Sequence, residues 1–120
     1  MYDHIGLKVK DLKASVDFYA AALKPFGHVL CSRDESSASF GPQGQPELWL
    51  YPLEGAGGCA VHLALRASER GVVDRFHKQG LAAGGRDHGA PGVREDYSPN
   101  YYAAFLMDPD GNNVEAVCTQ

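Results

Sequence analysis

The chain has 120 residues, of which 44% are hydrophobic and 22% are charged, and its formal net charge is −4 at pH 7. This length suits one domain with a real core, and an acidic chain with scattered Lys and Arg lacks the clustered positive charge of a nucleic-acid surface. No apolar stretch is long enough to span a membrane and the first residues do not form a secretion signal, so we expect a cytoplasmic protein with no nucleic-acid or membrane partner.

Three cysteines, Cys31, Cys59 and Cys118, form no C-x-x-C pair. We expect them to be reduced thiols, half-buried as small apolar residues.

The same pattern of elements occurs twice along the chain. Residues 4–9 and residues 62–67 each begin with His, and their apolar positions and one basic residue coincide. Farther on, residues 16–19 correspond to residues 73–76. Each copy is predicted to begin with a strand, continue through an N-cap and enter an amphipathic helix. We interpret the chain as an internal duplication.

Both predicted helices have recognisable ends. Asp11 and Ser68 are predicted N-caps, because their side-chain oxygens can accept a first-turn N–H. Apolar residues recur at steps of three and four in the first helix: Leu12, Val16, Tyr19 and Leu23. The second helix has a shorter apolar stripe: Val72, Val73 and Phe76. We expect Pro25 and Gly27 to end the first helix and Gly80 to end the second.

Three short strands are predicted after each helix. They lie near residues 28–33, 37–40 and 47–51 in the first copy and near residues 83–87, 101–107 and 113–118 in the second. Residues 108–111 read Asp-Pro-Asp-Gly, a strong turn signal that makes the last two strands a hairpin. The polar stretch between Arg86 and Tyr101 is predicted to be a long functional or mobile loop. The expected fold is α+β, one domain of two βαβββ modules at about residues 1–56 and 57–120.

Three residues are candidates for one metal site. His4 and His62 occupy equivalent places in the two first strands, and Glu115 lies among small and apolar residues of the last strand, where a carboxylate needs a partner. Two imidazoles and one carboxylate form a facial set that leaves coordination positions open. The alternative for each residue alone is a structural or surface role.

The remaining histidines have no such pairing. His77 is expected to be solvated on its helix, and His88 lies in the predicted loop, where it could reach a substrate.

Four segments carry a resemblance to a known family: residues 3–12, 15–19, 61–65 and 105–115, of which the last (Phe-Leu-Met-Asp-Pro-Asp-Gly-Asn-Asn-Val-Glu) is the most specific. In these four segments the chain resembles the vicinal oxygen chelate superfamily, which includes glyoxalase I, fosfomycin-resistance transferases, extradiol dioxygenases and bleomycin-resistance proteins. The resemblance covers nearly the whole chain. It implies paired modules that form an open, U-shaped, eight-stranded mixed sheet with flanking helices, often in a homodimer.

The same resemblance implies a site. The family's metal-ligand positions fall on His4, His62 and Glu115, and the ion would be Fe, Mn, Zn, Ni or Co. The substrate would be chelated through two neighbouring oxygens, with the metal acting as a Lewis acid. Glu115 and Glu47 are the candidate catalytic carboxylates. Glu47 could be a fourth ligand if it faces inward, and the alternative is that it begins an exposed strand.

Trp49, Arg94 and Tyr101 are the candidate substrate-binding residues, because aromatic walls with one cation suit a small anionic or oxygen-rich molecule. The resemblance implies a metal-dependent lyase, isomerase, thiol transferase or dioxygenase. The alternative is a metal-free small-molecule binding protein of the bleomycin-resistance type. The complete ligand set favours the enzyme, although a member that keeps its metal without catalysis has the same sequence features.

Overall fold

The computed structural model describes residues 1–54 and 60–120. The first module contains β1 (Ile5–Val9), α1 (Leu12–Leu23), a 3-10 helix (Lys24–Phe26), β2 (Val29–Arg33), β3 (Ala38–Gly41) and β4 (Leu48–Pro52). The second contains β5 (His62–Arg66), α2 (Arg70–Ala82), β6 (Arg86–Val93), β7 (Tyr102–Met107) and β8 (Asn113–Cys118). The predicted module boundary and Cys59 lie outside the described residues.

The eight strands form two mixed four-stranded sheets, ordered β1-β4-β3-β2 and β5-β8-β7-β6. In each sheet the first strand pairs in parallel with the last, and the other pairings are antiparallel. The α+β class and the two tandem βαβββ modules are therefore confirmed. Within the chain the modules meet largely through their helices, since α1 packs against α2.

The first strand of each module has one covered face and one exposed face. In β1, Leu7 and Val9 are buried in the core, whereas Gly6 and Lys8, which alternate with them, are exposed, as the two-residue period of a strand requires. The covered faces pack on aromatic residues of the helices, including Phe18 and Phe76, which are fully buried. Neither helix in the described part of the chain is long and apolar enough to cross a membrane.

Both predicted ends of the first helix are confirmed, since α1 ends at Leu23 and is followed by a 3-10 helix that contains Pro25 and is capped by Gly27. Asp11 caps α1, because its side chain accepts the N–H of Ala14 at 3.0 Å. Ser68 as the N-cap of α2 was wrong: Glu69 occupies that position and makes no side-chain cap bond. The reason is that pairing with β8 continues past β5, where the Ala67 N–H donates to the Val117 carbonyl at 2.8 Å, so the chain turns later.

Gly80 does not end α2, which continues to Ala82. A Cβ at residue 80 would collide with Leu106 of β7, so the glycine there allows close packing of α2 on the sheet. After the helix end comes Gly84, whose φ of 104° is one that glycine adopts without a steric penalty.

The prediction of a long loop between residues 86 and 101 was also wrong for the first half of that segment. Strand β6 occupies Arg86–Val93, and only residues 94–101 connect it to β7. Gly89, Pro91 and Gly92 suggested a loop, but β6 is an edge strand with an irregular register, and such strands tolerate these residues.

His77 is buried rather than solvated. Its side chain is 11% exposed, and its Nε2 lies 2.9 Å from Oδ1 of Asp87, so the pair links α2 to β6. The hydrogen bond with His77, followed by one from the Gly89 N–H, lowers the pKa of Asp87.

The β7–β8 turn ties the second module to the first. Asp108 is completely buried and accepts hydrogen bonds from the Tyr19 hydroxyl at 2.7 Å and from the Asn112 side chain at 2.8 Å. Asp110 in the same turn accepts the Lys10 N–H at 2.8 Å. Burial, and next the charge of Asp108, raises the pKa of Tyr19. The turn therefore holds α1 through a buried carboxylate.

Replacing Tyr19 with Phe should destabilise the protein, because it removes the hydroxyl donor from a buried carboxylate. We expect the free energy of unfolding to fall by about 1.5–3 kcal/mol, the range for hydrogen bonds to charged groups, as measured by urea denaturation. The matched control is Tyr2→Phe at an exposed tyrosine. A Tyr19→Phe variant as stable as the control would contradict a stabilising role for the Tyr19–Asp108 bond.

Replacing Asp87 with Asn should reduce stability in a pH-dependent way. Because the folded pKa of Asp87 lies below its unfolded value, the ionised group stabilises the fold above about pH 4, and this contribution is lost as the pH falls through the folded pKa. The stability difference between wild type and variant, measured by denaturant titration, should therefore shrink on acidification, with Asp96→Asn as an exposed control. A difference that grows towards acid pH would show that the sign is wrong.

Candidate functional site

Glu115 lies at the centre of the second sheet. Its strand pairs with β5 on one side, where Ala64 is opposite Glu115, and with β7 on the other, where Phe105 is opposite Glu115. The Glu115 side chain is only 4% exposed. A carboxylate removed from water in this way requires hydrogen-bond or charge partners.

Both carboxylate oxygens of Glu115 are engaged. Nε2 of His62 lies 3.0 Å from Oε2, and the Tyr101 hydroxyl donates to Oε1 at 2.5 Å. Burial, and next the hydrogen bond to Glu115, raises the pKa of Tyr101 to about 12. Tyr101, predicted to bind substrate, is therefore a protonated donor at neutral pH that fixes the carboxylate.

The contacts of His62 orient its ring. Nδ1 lies 3.1 Å from the Asn113 carbonyl oxygen, which can only accept, so Nδ1 carries the hydrogen. Nε2 then turns towards Oε2 of Glu115, and either a proton or a cation must lie between these two basic atoms. The imidazole also stacks on Phe105, with ring centroids 6.5 Å apart and planes at 21°.

This pair suits a divalent metal in part. Two ligands each about 2.1 Å from an ion and at right angles to each other are about 3.0 Å apart, which matches the 3.0 Å between Nε2 and Oε2. Anchoring of Nδ1 by a carbonyl is also the usual arrangement of a ligating His. Across residues 1–54 and 60–120, however, no three His, Cys, Asp or Glu side chains come together in a group that could hold a metal.

His4 lies away from that pair. Its side chain is 57% exposed at the start of β1, and its Nδ1 is 2.7 Å from Oδ1 of the neighbouring Asp3. Glu47 is close to it along the sheet, because the Ile5 N–H donates to the Glu47 carbonyl at 2.8 Å. His4 and Glu47 both line one cavity, which Leu63 and Leu65 of β5 also line. The predicted ligands are thus divided between the two sheets.

The strand registers define the counterpart of Glu115 in the first module. Gly6 is opposite Trp49, and Ala64 is opposite Glu115. Because Gly6 and Ala64 are equivalent in the repeat, Trp49 occupies the place of Glu115. Its indole stacks on Tyr51, with centroids 6.2 Å apart and planes at 9°.

Glu47 is accordingly the counterpart of Asn113, which is opposite His62 as the first residue of β8. It lies two residues before Trp49 on the same strand face and is exposed. The position equivalent to Glu115 therefore carries an indole in the first module and not a carboxylate.

Arg94 is on the same sheet as Glu115. Its guanidinium lies 5.4 Å from the Phe105 ring centroid, and its Nη2 donates to the Ala90 carbonyl at 2.7 Å. It lines a recess with His88, Tyr97 and other residues beside Phe105. Of the three predicted substrate-binding residues, Arg94 and Tyr101 therefore belong to the second sheet and Trp49 to the first.

Phe105 and Asn113 were missed as site residues. Phe105 packs against His62 and Arg94, and the Asn113 carbonyl anchors His62. A signal for both was present in the Asp108–Gly111 turn, because a hairpin closed there places Met107 opposite Asn113 and therefore Phe105 opposite Glu115.

Comparison with known proteins places this site in a family. The sequence model of the glyoxalase-like domain matches residues 4–117. A glyoxalase/bleomycin resistance protein from Albidiferax ferrireducens is 26% identical, with a TM-score of 0.84 over 100% of this chain and 99% of that one. A glyoxalase/bleomycin resistance protein/dioxygenase family enzyme from Burkholderia phytofirmans is 18% identical, with a TM-score of 0.75 over 98% of each chain.

A glyoxalase-related enzyme from Fulvimarina pelagi is 21% identical, with a TM-score of 0.73 over 95% of this chain and 84% of that one. No protein with a curated function matches the sequence. The family match over residues 4–117, together with the two βαβββ modules, shows that the chain belongs to the glyoxalase-like family of the vicinal oxygen chelate superfamily.

Proposed function

We propose that this protein is a metal-dependent enzyme that acts on a small molecule chelated through two neighbouring oxygens, by lyase, isomerase, thiol transferase or dioxygenase chemistry. The observation that carries the proposal is the His62–Glu115 pair, in which two basic atoms 3.0 Å apart face each other at the open side of a sheet.

We propose that the third ligand is His4 of a second copy of the chain, in a homodimer. His4 and His62 are equivalent in the repeat, and His4 lies at an open, exposed strand end. If the first module of one copy packs against the second module of the other about a two-fold axis, these equivalent positions face each other. Such a dimer would also cover the open sheet faces. Among the described residues the thiols of Cys31 and Cys118 form no disulfide, which suits a cytoplasmic location.

The residues around Glu115 then have distinct roles. Tyr101 stays protonated and fixes Oε1, so that Oε2 points towards His62 and the open face. Oε2 is the atom placed to exchange a proton with a bound substrate, since it has no other donor in the described residues. A divalent ion bound by His62, Glu115 and the second copy's His4 would act as a Lewis acid on the substrate oxygens.

We assign Trp49 and Arg94 to the walls of the substrate pocket and Glu47 to its rim. Trp49 would lie opposite Glu115 in the proposed dimer, because the two are counterparts in the repeat. Glu47 is exposed beside His4 and could supply a second carboxylate from that side.

A metal-free binding protein is the second candidate function. It is favoured by the stacked Trp49–Tyr51 pair on the open face of the first sheet, with the Lys8 Nζ 5.0 Å from the Tyr51 ring centroid. Stacked aromatic rings with a cation bind flat ligands without a metal.

The metal should be lost when either member of the pair is removed. We expect about one equivalent of metal per chain in protein purified without chelators, and nearly none in His62→Ala or Glu115→Ala, because only one strong donor of the pair remains. Elemental analysis is the measurement. His28→Ala is the matched control, and circular dichroism checks the fold. Absence of metal after loading with Fe, Mn, Ni or Zn would favour the metal-free binding protein.

A mixing experiment tests whether each site is shared between copies. His4→Ala and Glu115→Ala chains should each bind no metal alone. After unfolding and refolding together, a mixed dimer has one intact site, so about a quarter of all sites should recover metal with random pairing. Recovery of none, with mixed dimers demonstrated by native mass spectrometry, would contradict a site shared between chains.

A further inference from the structure

We propose that Arg94, His88 and Asn113 form an anion-binding subsite that receives a carboxylate or similar oxyanion of the substrate. This proposal rests on the proposed function in one respect, which is that the subsite is part of the same substrate pocket. The three residues line one recess at the outer edge of the second sheet, together with Gly89, Tyr97 and Phe105.

Two glycines of β6 make room for the Arg94 guanidinium. A Cβ at Gly89 would lie 3.1 Å from Nη2 of Arg94, and a Cβ at Gly92 would lie 3.1 Å from Nη1. The guanidinium is also held by the Ala90 carbonyl and by the Phe105 ring. A cation fixed by a carbonyl, an aromatic ring and the strand surface loses little side-chain freedom when it binds a ligand.

The charge of Arg94 is not neutralised within the described chain. No carboxylate of residues 1–54 or 60–120 forms an ion pair with it, although Glu95 and Asp96 follow it directly. One guanidinium nitrogen is used on a carbonyl, which leaves further N–H donors for a planar oxyanion.

Asn113 provides an independent observation. Its Oδ1 is a buried atom with no hydrogen-bond partner among the described residues, and its side chain lines the same recess. The amide nitrogen Nδ2, by contrast, is not buried and makes no hydrogen bond among the described residues, so the NH₂ group can donate to an anion in the recess. His88 also lines the recess, and its imidazole ring supplies a further N–H donor.

The position of the subsite specifies the class of substrate. Phe105 of the recess is opposite Glu115 on the neighbouring strand, and Asn113 lies two residues before Glu115 on β8, so about 5–7 Å separates the inner wall of the recess from Glu115. We infer a small molecule whose anionic group lies about one ring's length from its chelating oxygens. The Phe105 side chain between them suits a flat linker.

Benzoate and benzyl alcohol, which differ chiefly in charge, are suitable probes. They are added to the purified wild-type protein, whether it is a dimer or a monomer. Binding measured by NMR titration should favour benzoate by about tenfold or more, with shifts at His88, Gly89 and Arg94. Arg94→Met should remove that preference, and Arg86→Met, on the same strand with the same loss of charge, should keep it. Arg94→Lys gives the same comparison if Arg94→Met fails to fold, since lysine cannot form the two-pronged contact.

The result that would overturn the subsite is an equal affinity for the two probes in wild type, or an equal loss of preference in Arg94→Met and Arg86→Met. Metal content measured on the same samples separates this proposal from the proposed function. Preference for benzoate in protein that takes up no metal would support the subsite and contradict the metal enzyme. Metal uptake without any preference for benzoate would support the metal enzyme and contradict the subsite.

Discussion

In each module the first strand pairs in parallel with the last, and this pairing determines which residues share the site. It brings His62 beside Glu115 although 53 positions separate them in sequence. A parallel pair cannot be closed by a tight turn, so the helix and the two intervening strands are needed to carry the chain back. Those elements also cover one side of the first strands, and Gly6, Lys8, His62 and Ala64 on the other side stay exposed.

The chemistry of the open face follows from burying one carboxylate there. Glu115 is held by Tyr101 on one oxygen and faces His62 with the other, and His62 is oriented in turn by the Asn113 carbonyl and the Phe105 ring. The cost of desolvating a charge makes each of these contacts necessary. The result is a pair of basic atoms with fixed positions, which is the preorganisation that a metal or a shared proton requires.

Much of the fold could be predicted from the sequence because the repeat shows it twice. The matched strands and helices predicted the modules, and the hairpin turn gave β8 its observed bounds. Errors occurred where tertiary contacts override local signals. Gly80 serves packing against Leu106, and the glycines of β6 lie in a strand edge rather than a loop. His77 is buried because Asp87, on another element, is its partner.

The site was less predictable than the fold. His62 and Glu115 are adjacent, as expected, but sequence cannot show that His4 lies in a separate sheet, since that depends on how two modules are oriented. Tyr101 was chosen as an aromatic wall, whereas its hydroxyl is turned to Glu115. The register of β4 was needed to distinguish Trp49 from Glu47 as the counterpart of Glu115.

The replacement of a carboxylate by an indole at that counterpart position has a stereochemical consequence. Duplication produces two equal halves, and a pocket built from equal halves would accept a planar molecule in either of two orientations. In the proposed dimer, with Trp49 on one side and Glu115 on the other, a flat ligand held between the halves would meet an apolar surface on one face and a proton acceptor on the opposite face. The divergence of a single strand position would thereby make the pocket enantioface-selective, with proton exchange confined to one side of the molecule.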